Sequence, residues 1–293
     1  MKKTNFSDED FQISKLPSTR KSQFKDICLH SYRLLFGFGL VMLLFFVPYI
    51  VAYIFRIISN VGISSLLIDK GIKDKDLAMS LTYLTLLFDL INIPCYIIIS
   101  IGLAGYSIVF RNLIYGEGVL FKYDFKKGIK TNSKYYVLAS SIYSCIKLIV
   151  NFLCNYSTLL NSVGFNILTG ILLVLFFLLI VPTLFYFTVN HTLYNMKISS
   201  GFSNAFRVNL STFFVSILLG LSIYFVKYIN LLPFPLVKIL IIMFLLVLIF
   251  PFFYLVFLLF SVATYDKLLN EKYHKSIYHK GLSTYQESNF DEE

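Results

Sequence analysis

The chain has 293 residues, of which 57% are hydrophobic, 18% aromatic and only 14% charged, and its mean hydropathy is +0.73. That composition excludes a soluble globular domain and makes a lipid bilayer part of the solvent. The net charge of +10 does not argue for nucleic acid, because the Lys and Arg residues are spread over short segments between apolar runs, where membrane topology and anionic lipid headgroups explain them.

Continuous apolar runs near the roughly 20 residues needed to cross the hydrocarbon core recur along the chain, and their lack of alternation excludes a β-barrel. The expected fold class is all-α, a polytopic transmembrane helical bundle of about six spans. A polar segment, 1–33, comes first and ends in a basic aromatic piece with Phe24, Lys25, Tyr32 and Arg33, suited to an interfacial helix. The spanning domain covers 34–264. Span 1 is expected over Leu34–Phe55, with Pro48 inside it, followed by a loop that mixes Lys70, Lys73 and Lys75 with Asp69, Asp74 and Asp76.

Span 2, Leu81–Phe110, is longer than a perpendicular crossing requires and holds Asp89, Asn92 and Pro94, which predicts a tilted, bent or partly extramembrane helix. Span 3, Tyr135–Leu153, holds Lys147; span 4, Ile167–Val189, holds Pro182. Span 5 is expected over Thr212–Ile229, Pro233 and Pro235 mark a turn, and span 6, Leu236–Thr264, holds Pro251. A charged tail, 265–293, closes the chain.

Six crossings place both termini on one side. The N-terminal segment, the loop from Arg111 to Lys134, the segment with Lys197 and Arg207, and the tail carry most of the Lys and Arg, whereas 155–166 carries none. The positive-inside rule therefore predicts that both termini are cytoplasmic. Phe24-Lys25, Phe125-Lys126 and Phe206-Arg207 each precede an outward-running span. They read either as three copies of a basic lead, a span and a return, or as the same interfacial composition recreated at each crossing.

Asp89 is the one carboxylate placed inside a span, where an ionisable group is costly unless paired or hydrated. Counting about 1.5 Å per residue, Asp89 lies roughly 12 Å from the external end of span 2 and Lys147 roughly 9 Å from that of span 3. Two readings follow: an intramembrane pair of Asp89 with Lys147, lined by Asn92 and Asn151, or a Lys147 that snorkels outward with Asp89 near the external interface. His191 reads as a polar end residue or a relay group. Ser100, Gly102, Ala104 and Gly105 give span 2 a narrow face, and Ser140 and Ser144 do the same for span 3.

Nothing in the chain assembles a catalytic set. It has no Walker A, HExxH or GxSxG motif, Gly116 and Gly118 read as a turn, and the four cysteines lack metal-ligand or disulfide spacing. No catalytic residue, cofactor or metal is expected.

The segment IGLAGYSIVFRNLIYGEG with DFKKGIKTN, and the later LYNMKISSGFSNAFRVNLSTFF, resemble the YesL-like family of bacterial membrane proteins. The match covers about a fifth of the chain, and the long polar N-terminus and charged first loop depart from the pattern. The resemblance implies an uncharacterised multi-pass protein of the bacterial cytoplasmic membrane whose relatives often accompany carbohydrate uptake systems. It implies fold and interface roles for Gly102, Gly105, Arg111, Phe125, Lys126, Lys127, Gly128 and Asn132, with a membrane transport partner or a second copy of the chain as the protein partner. The leading expectation is a non-enzymatic accessory component; the alternative is a small-solute permease with a polar path near Asp89 and Lys147.

Overall fold

A computed structural model describes residues 16–69, 74–160, 162–194, 196–225, 232 and 234–285. Lys2, Lys3, Lys15, Lys70, Lys73, the expected end of span 5 at 226–229 and Pro233 lie outside the described residues. The described chain is helical, without a strand. Five of its helices are long and apolar enough to cross a membrane, and a bent helix pair makes six. A short helix, α1 (Arg20–His30), precedes α2 (Tyr32–Asp69), α3 (Asp74–Ile114) and α4 (Phe121–Leu160). The fourth crossing joins α5 (Val163–Leu175) to α6 (Val181–Leu193) through a π turn at Phe176–Ile180. Next come α7 (Ile198–Ser211) and α8 (Phe213–Phe225), then α9 (Pro235–Phe244), a second π turn at Leu245–Ile249, and α10 (Phe250–Tyr265). A third π turn, Asp266–Asn270, leads into α11 (Glu271–Tyr273).

The fifth span is entered through a sharp bend. Its amphipathic lead, α7, meets α8 at 95°, and buries Gly201, Ala205, Val208 and Asn209 while Phe206 and Arg207 stay exposed. The last span also outruns its expected end at Thr264, because α10 continues through the third π turn to Tyr273. Helical backbone there remains favourable because Asp266 and Asn270, one turn apart, satisfy each other across 2.8 Å.

The crossings close in a ring of three units, each made of a lead, a leading span and a return. The leads are α1, the first turns of α4, and α7; the leading spans are α2, α4 and α8; the returns are α3, α5–α6 and α9–α10. Each leading span packs on the return of another unit: α4 on α3, α8 on the π turn before α6, and α2 on the π turn before α10. Each lead is likewise fastened to that same return. Asn132 Nδ2 donates to Ser107 Oγ at 2.7 Å, Asn209 Nδ2 donates to Leu179 O and Thr183 Oγ1 at 3.0 Å, and Arg20 pairs with Asp266. This correspondence sets Asn209 opposite Asn132, and hence Phe202 opposite Phe125, so the third lead is offset by one turn from the Phe206-Arg207 match read from composition.

Proline explains the two π turns in the membrane. Pro182 and Pro251 each follow such a turn by two residues. Having no N–H, each leaves carbonyls of the preceding turn without their helical donor. Asn209 serves the freed carbonyls before Pro182, and glycines allow close approach to both turns: a Cβ on Gly220 would strike Phe177 O, and one on Gly39 would strike Val247 O.

The lead of α4 does not run alongside α3. Lower in the hairpin, Asn132 meets Ser107, Ser140 Oγ donates to Ser100 Oγ at 3.1 Å, and Asn151 meets Asp89, an antiparallel register. Towards the N-terminus of α4, however, Gly128, Phe125 and Phe121 all contact the same short stretch, Ala104–Tyr106. The lead therefore crosses α3. A Cβ at Gly128 would lie 2.5 Å from both Ala104 O and Gly105 O, so the small residues read as a narrow face mark the crossing point.

Candidate functional site

Two polar clusters are buried in the bundle, and aromatic rings lie between them. The one away from the termini contains Asp89 and Lys147. Asp89 is 8% exposed and accepts from Asn151 Nδ2 at 3.2 Å. Lys147 donates to the Tyr96 hydroxyl, with its Nζ 4.7 Å from the Tyr96 ring centroid and 5.6 Å from that of Tyr143. Tyr49 adds a further ring, 5.6 Å from Tyr96.

Asp89 and Lys147 share this cluster and the Asp89 charge acts on the ammonium, while their direct hydrogen bonds go to other groups, Asn151 and Tyr96. Phenol rings meet the ammonium instead, because their negative π faces and a hydroxyl oxygen stabilise a cation where a hydration shell is lacking. Tyr96→Phe is expected to cost about 1.5–3 kcal/mol, the usual worth of a hydrogen bond to a charged group, read from thermal unfolding in detergent. The exchange of Asp89→Lys with Lys147→Asp is expected not to restore the stability lost in Asp89→Lys alone. Recovery in the exchanged protein would instead establish a direct pair.

From this cluster the rings run inward without a polar break. Tyr49 lies 6.4 Å from Phe46, Phe46 lies 6.3 Å from Phe250, and Phe250 lies 5.7 Å from Phe38. Phe38 is fully buried and sits 4.3 Å from Tyr106, 5.0 Å from Phe110 and 5.6 Å from Tyr254.

The second cluster lies beyond that block, towards the face of the bundle that carries both ends of the described chain. Tyr136 OH is 3.2 Å from Thr192 Oγ1 and 3.4 Å from Tyr254 OH. Ser107 and Thr192 then line a cavity of about 10 Å³ together with Arg111 and Tyr115, a volume close to that of a single water. Arg111 Nη2 donates to Asn112 Oδ1 at 3.2 Å, while Arg111 Nε and Tyr115 OH are buried without a protein partner. Burial, with the Asp266 carboxylate nearby, holds the Tyr115 phenol well above the ordinary tyrosine range, so it is a hydrogen-bond donor at neutral pH.

A clasp of buried and half-buried polar groups closes this terminal face. Arg20 Nη2 meets Asp266 Oδ2 at 2.8 Å, with side-chain exposures of 10% and 5%, and Arg20 Nη1 donates to Gln23 Oε1 and Lys280 O. Gln23 Nε2 donates to Ile114 O at 2.5 Å and to Gly281 O at 3.2 Å. Tyr194 OH donates to Asn270 Oδ1 at 2.5 Å, and Lys280 Nζ meets Glu117 Oε1 at 2.7 Å. The chain can turn here because Gly116 and Gly281 have φ of +68° and +83°, a conformation natural to glycine. Gly116 thus caps α3 as the expected turn residue.

The remaining sequence-singled residues are divided between packing and surface. A Cβ on Gly102 would lie 2.7 Å from the Phe45 ring, and one on Gly105 would strike Phe125. Phe125 packs 5.1 Å from Tyr106, Asn132 bonds to Ser107, and Lys126 and Lys127 are exposed. His191 is 5% exposed, stacked 3.7 Å from Tyr135, with Gly201 against its edge. Neither of its ring nitrogens has a partner, so the relay reading gains no neighbour. Among the described residues no three His, Cys, Asp or Glu side chains group as metal ligands. Comparison with known proteins adds no assignment: no family model matches the chain, and neither a curated protein nor a solved structure matches it.

Sequence reasoning reached Asp89, Lys147 and the α4 lead but missed the clasp. Arg20 and Asp266 are 246 residues apart, and both sit in segments whose composition reads as solvated. The one local signal is the Asp266, Asn270 spacing at i and i+4 beside an apolar helix.

Proposed function

We propose that this protein is a non-enzymatic component of a bacterial cytoplasmic membrane, with both termini in the cytoplasm, that acts by holding a membrane partner rather than by moving a solute itself. The observation that carries this reading is the aromatic block from Tyr49 to Tyr254. A permease needs a polar cavity near the midplane that opens in turn to each side; here rings fill the space between the two polar clusters. The clasp supports a scaffold as well, since its buried ion pair and hydrogen bonds tie the two ends of the described chain to each other and to the end of α3. The resemblance of Gly102–Asn132 to the YesL-like family supports a partner among carbohydrate uptake components. The permease reading rests on Asp89, a buried acid at a depth where carboxylates are uncommon.

Crosslinking in membranes followed by purification tests the proposal. A defined membrane partner, crosslinked mainly through the terminal face and retained in stoichiometric amount after solubilisation, is the expected result. Crosslinks confined to the chain itself, on a monodisperse protein without a retained subunit, would overturn it. A reporter fused after Asn132 is expected to read as cytoplasmic.

A further inference from the structure

Beyond the partner-holding role, and independent of it, we infer that the lead of α4 is a binding surface for anionic phospholipid headgroups. Lys122, Lys126 and Lys130 recur at intervals of four residues, with Lys127 beside them, and all four are exposed. The opposite face is consumed by the crossing on α3, where Asp124, Gly128 and Asn132 are buried. That arrangement leaves the basic face unbalanced. Asp124 is 5% exposed and its Oδ2 accepts from Leu120 N at 2.8 Å, and the nearest upstream acid, Glu117, is held by Lys280.

The direction of the lead decides what meets these lysines. Because Phe121, Phe125 and Gly128 converge on one short stretch of α3, the lead runs across the bundle instead of projecting along it. It does so immediately before the apolar part of α4 that begins near Tyr135, and the end of an apolar span is where a chain meets lipid headgroups. Leu120 and Tyr123, 69% and 64% exposed, supply apolar contact at its start, and Lys127 Nζ lies 6.0 Å from the Tyr123 ring centroid. A line of ammonium groups lying in the plane of the surface, next to exposed apolar side chains, fits a row of lipid phosphates better than a single free anion.

Native mass spectrometry of the purified full chain, titrated with phosphatidylglycerol or with phosphatidylcholine of the same acyl chains, tests the assignment. Phosphatidylglycerol is expected to bind more tightly, with a preference that weakens as salt is raised and falls about five-fold for each lysine removed. Lys122→Gln, Lys126→Gln, Lys127→Gln and Lys130→Gln combined should abolish the preference without changing thermal unfolding in zwitterionic detergent. The corresponding four Lys→Arg substitutions should retain it, as should Lys21→Gln with Lys25→Gln on α1. Retention of the preference in the fourfold Gln variant would overturn the assignment. So would displacement of the lipid by inorganic phosphate at equal concentration, which would mark a free-anion site, or the absence of any preference in the unaltered chain, which would leave the surface to an acidic protein partner.

Discussion

Asp266→Ala is expected to destabilise the protein by about 3–5 kcal/mol, the range for removing one partner of a buried ion pair. The loss comes less from missing attraction than from what remains. Arg20 is only 10% exposed on its side chain, so its guanidinium would be left in the terminal face with Gln23 and the Lys280 carbonyl as partners but no counter-charge. Asn270 would also lose its acceptor at 2.8 Å, and through it the anchor for Tyr194 would loosen. At roughly 2–4 °C per kcal/mol for a chain of this size, unfolding in mild detergent followed by circular dichroism should shift down by roughly 10 °C. Replacing both residues, Arg20→Met with Asp266→Leu, is expected to recover most of the loss, because two apolar side chains carry no desolvation cost. If the double substitution is as unstable as Asp266→Ala, the pair itself is not the source of the effect.

Gly39→Ala and Gly220→Ala should each cost about 1–3 kcal/mol, although alanine is ordinarily the better helix former. The added methyl meets a backbone oxygen in both cases, Val247 O and Phe177 O, and a backbone carbonyl held in a π turn has no rotamer by which to yield. The helices must move apart, at the contacts where α2 closes on the third unit and α8 on the second. Gly170, with nothing within 4 Å of its Cβ position, is the internal control: Gly170→Ala is expected to be neutral or to gain up to about 1 kcal/mol. Opposite signs at Gly39 and Gly170, measured by the same unfolding assay, distinguish close approach at the ring contacts from a general sensitivity of helical glycines.

Much of this architecture was legible because membrane burial writes directly into composition. The apolar runs mark the crossings, and the basic aromatic leads mark where α2, α4 and α8 are entered, which is why the stretch from Gly102 to Asn132 could be read as a helix end, a turn and a lead. Small residues at Ser100, Gly105 and Ser140 signalled close helix contact, and the structure places contacts there.

What escaped depends on groups that recognise each other across long separations. A Pro inside an apolar run announces a disturbed helix, but whether the freed carbonyls go to Asn209 or face Gly220 depends on which helix packs there. Lys147 similarly demanded a partner, and an acid on the neighbouring helix was the obvious candidate. Tyrosines, counted as apolar bulk in the spans, proved to be its partners. The 95° junction of α7 and α8 was read only as a basic loop and a span, since α7 gains its regularity from burying Gly201, Ala205 and Asn209 against α6.

Solute uptake by the purified protein in liposomes tests the central claim most directly. With rings from Tyr49 to Tyr254 filling the interior, uptake of a panel of mono- and disaccharides is expected to match that of protein-free liposomes, with and without an imposed proton gradient. Saturable uptake that Tyr96→Phe or Lys147→Met alters would contradict the scaffold reading and make the cluster around Asp89 part of a transport path.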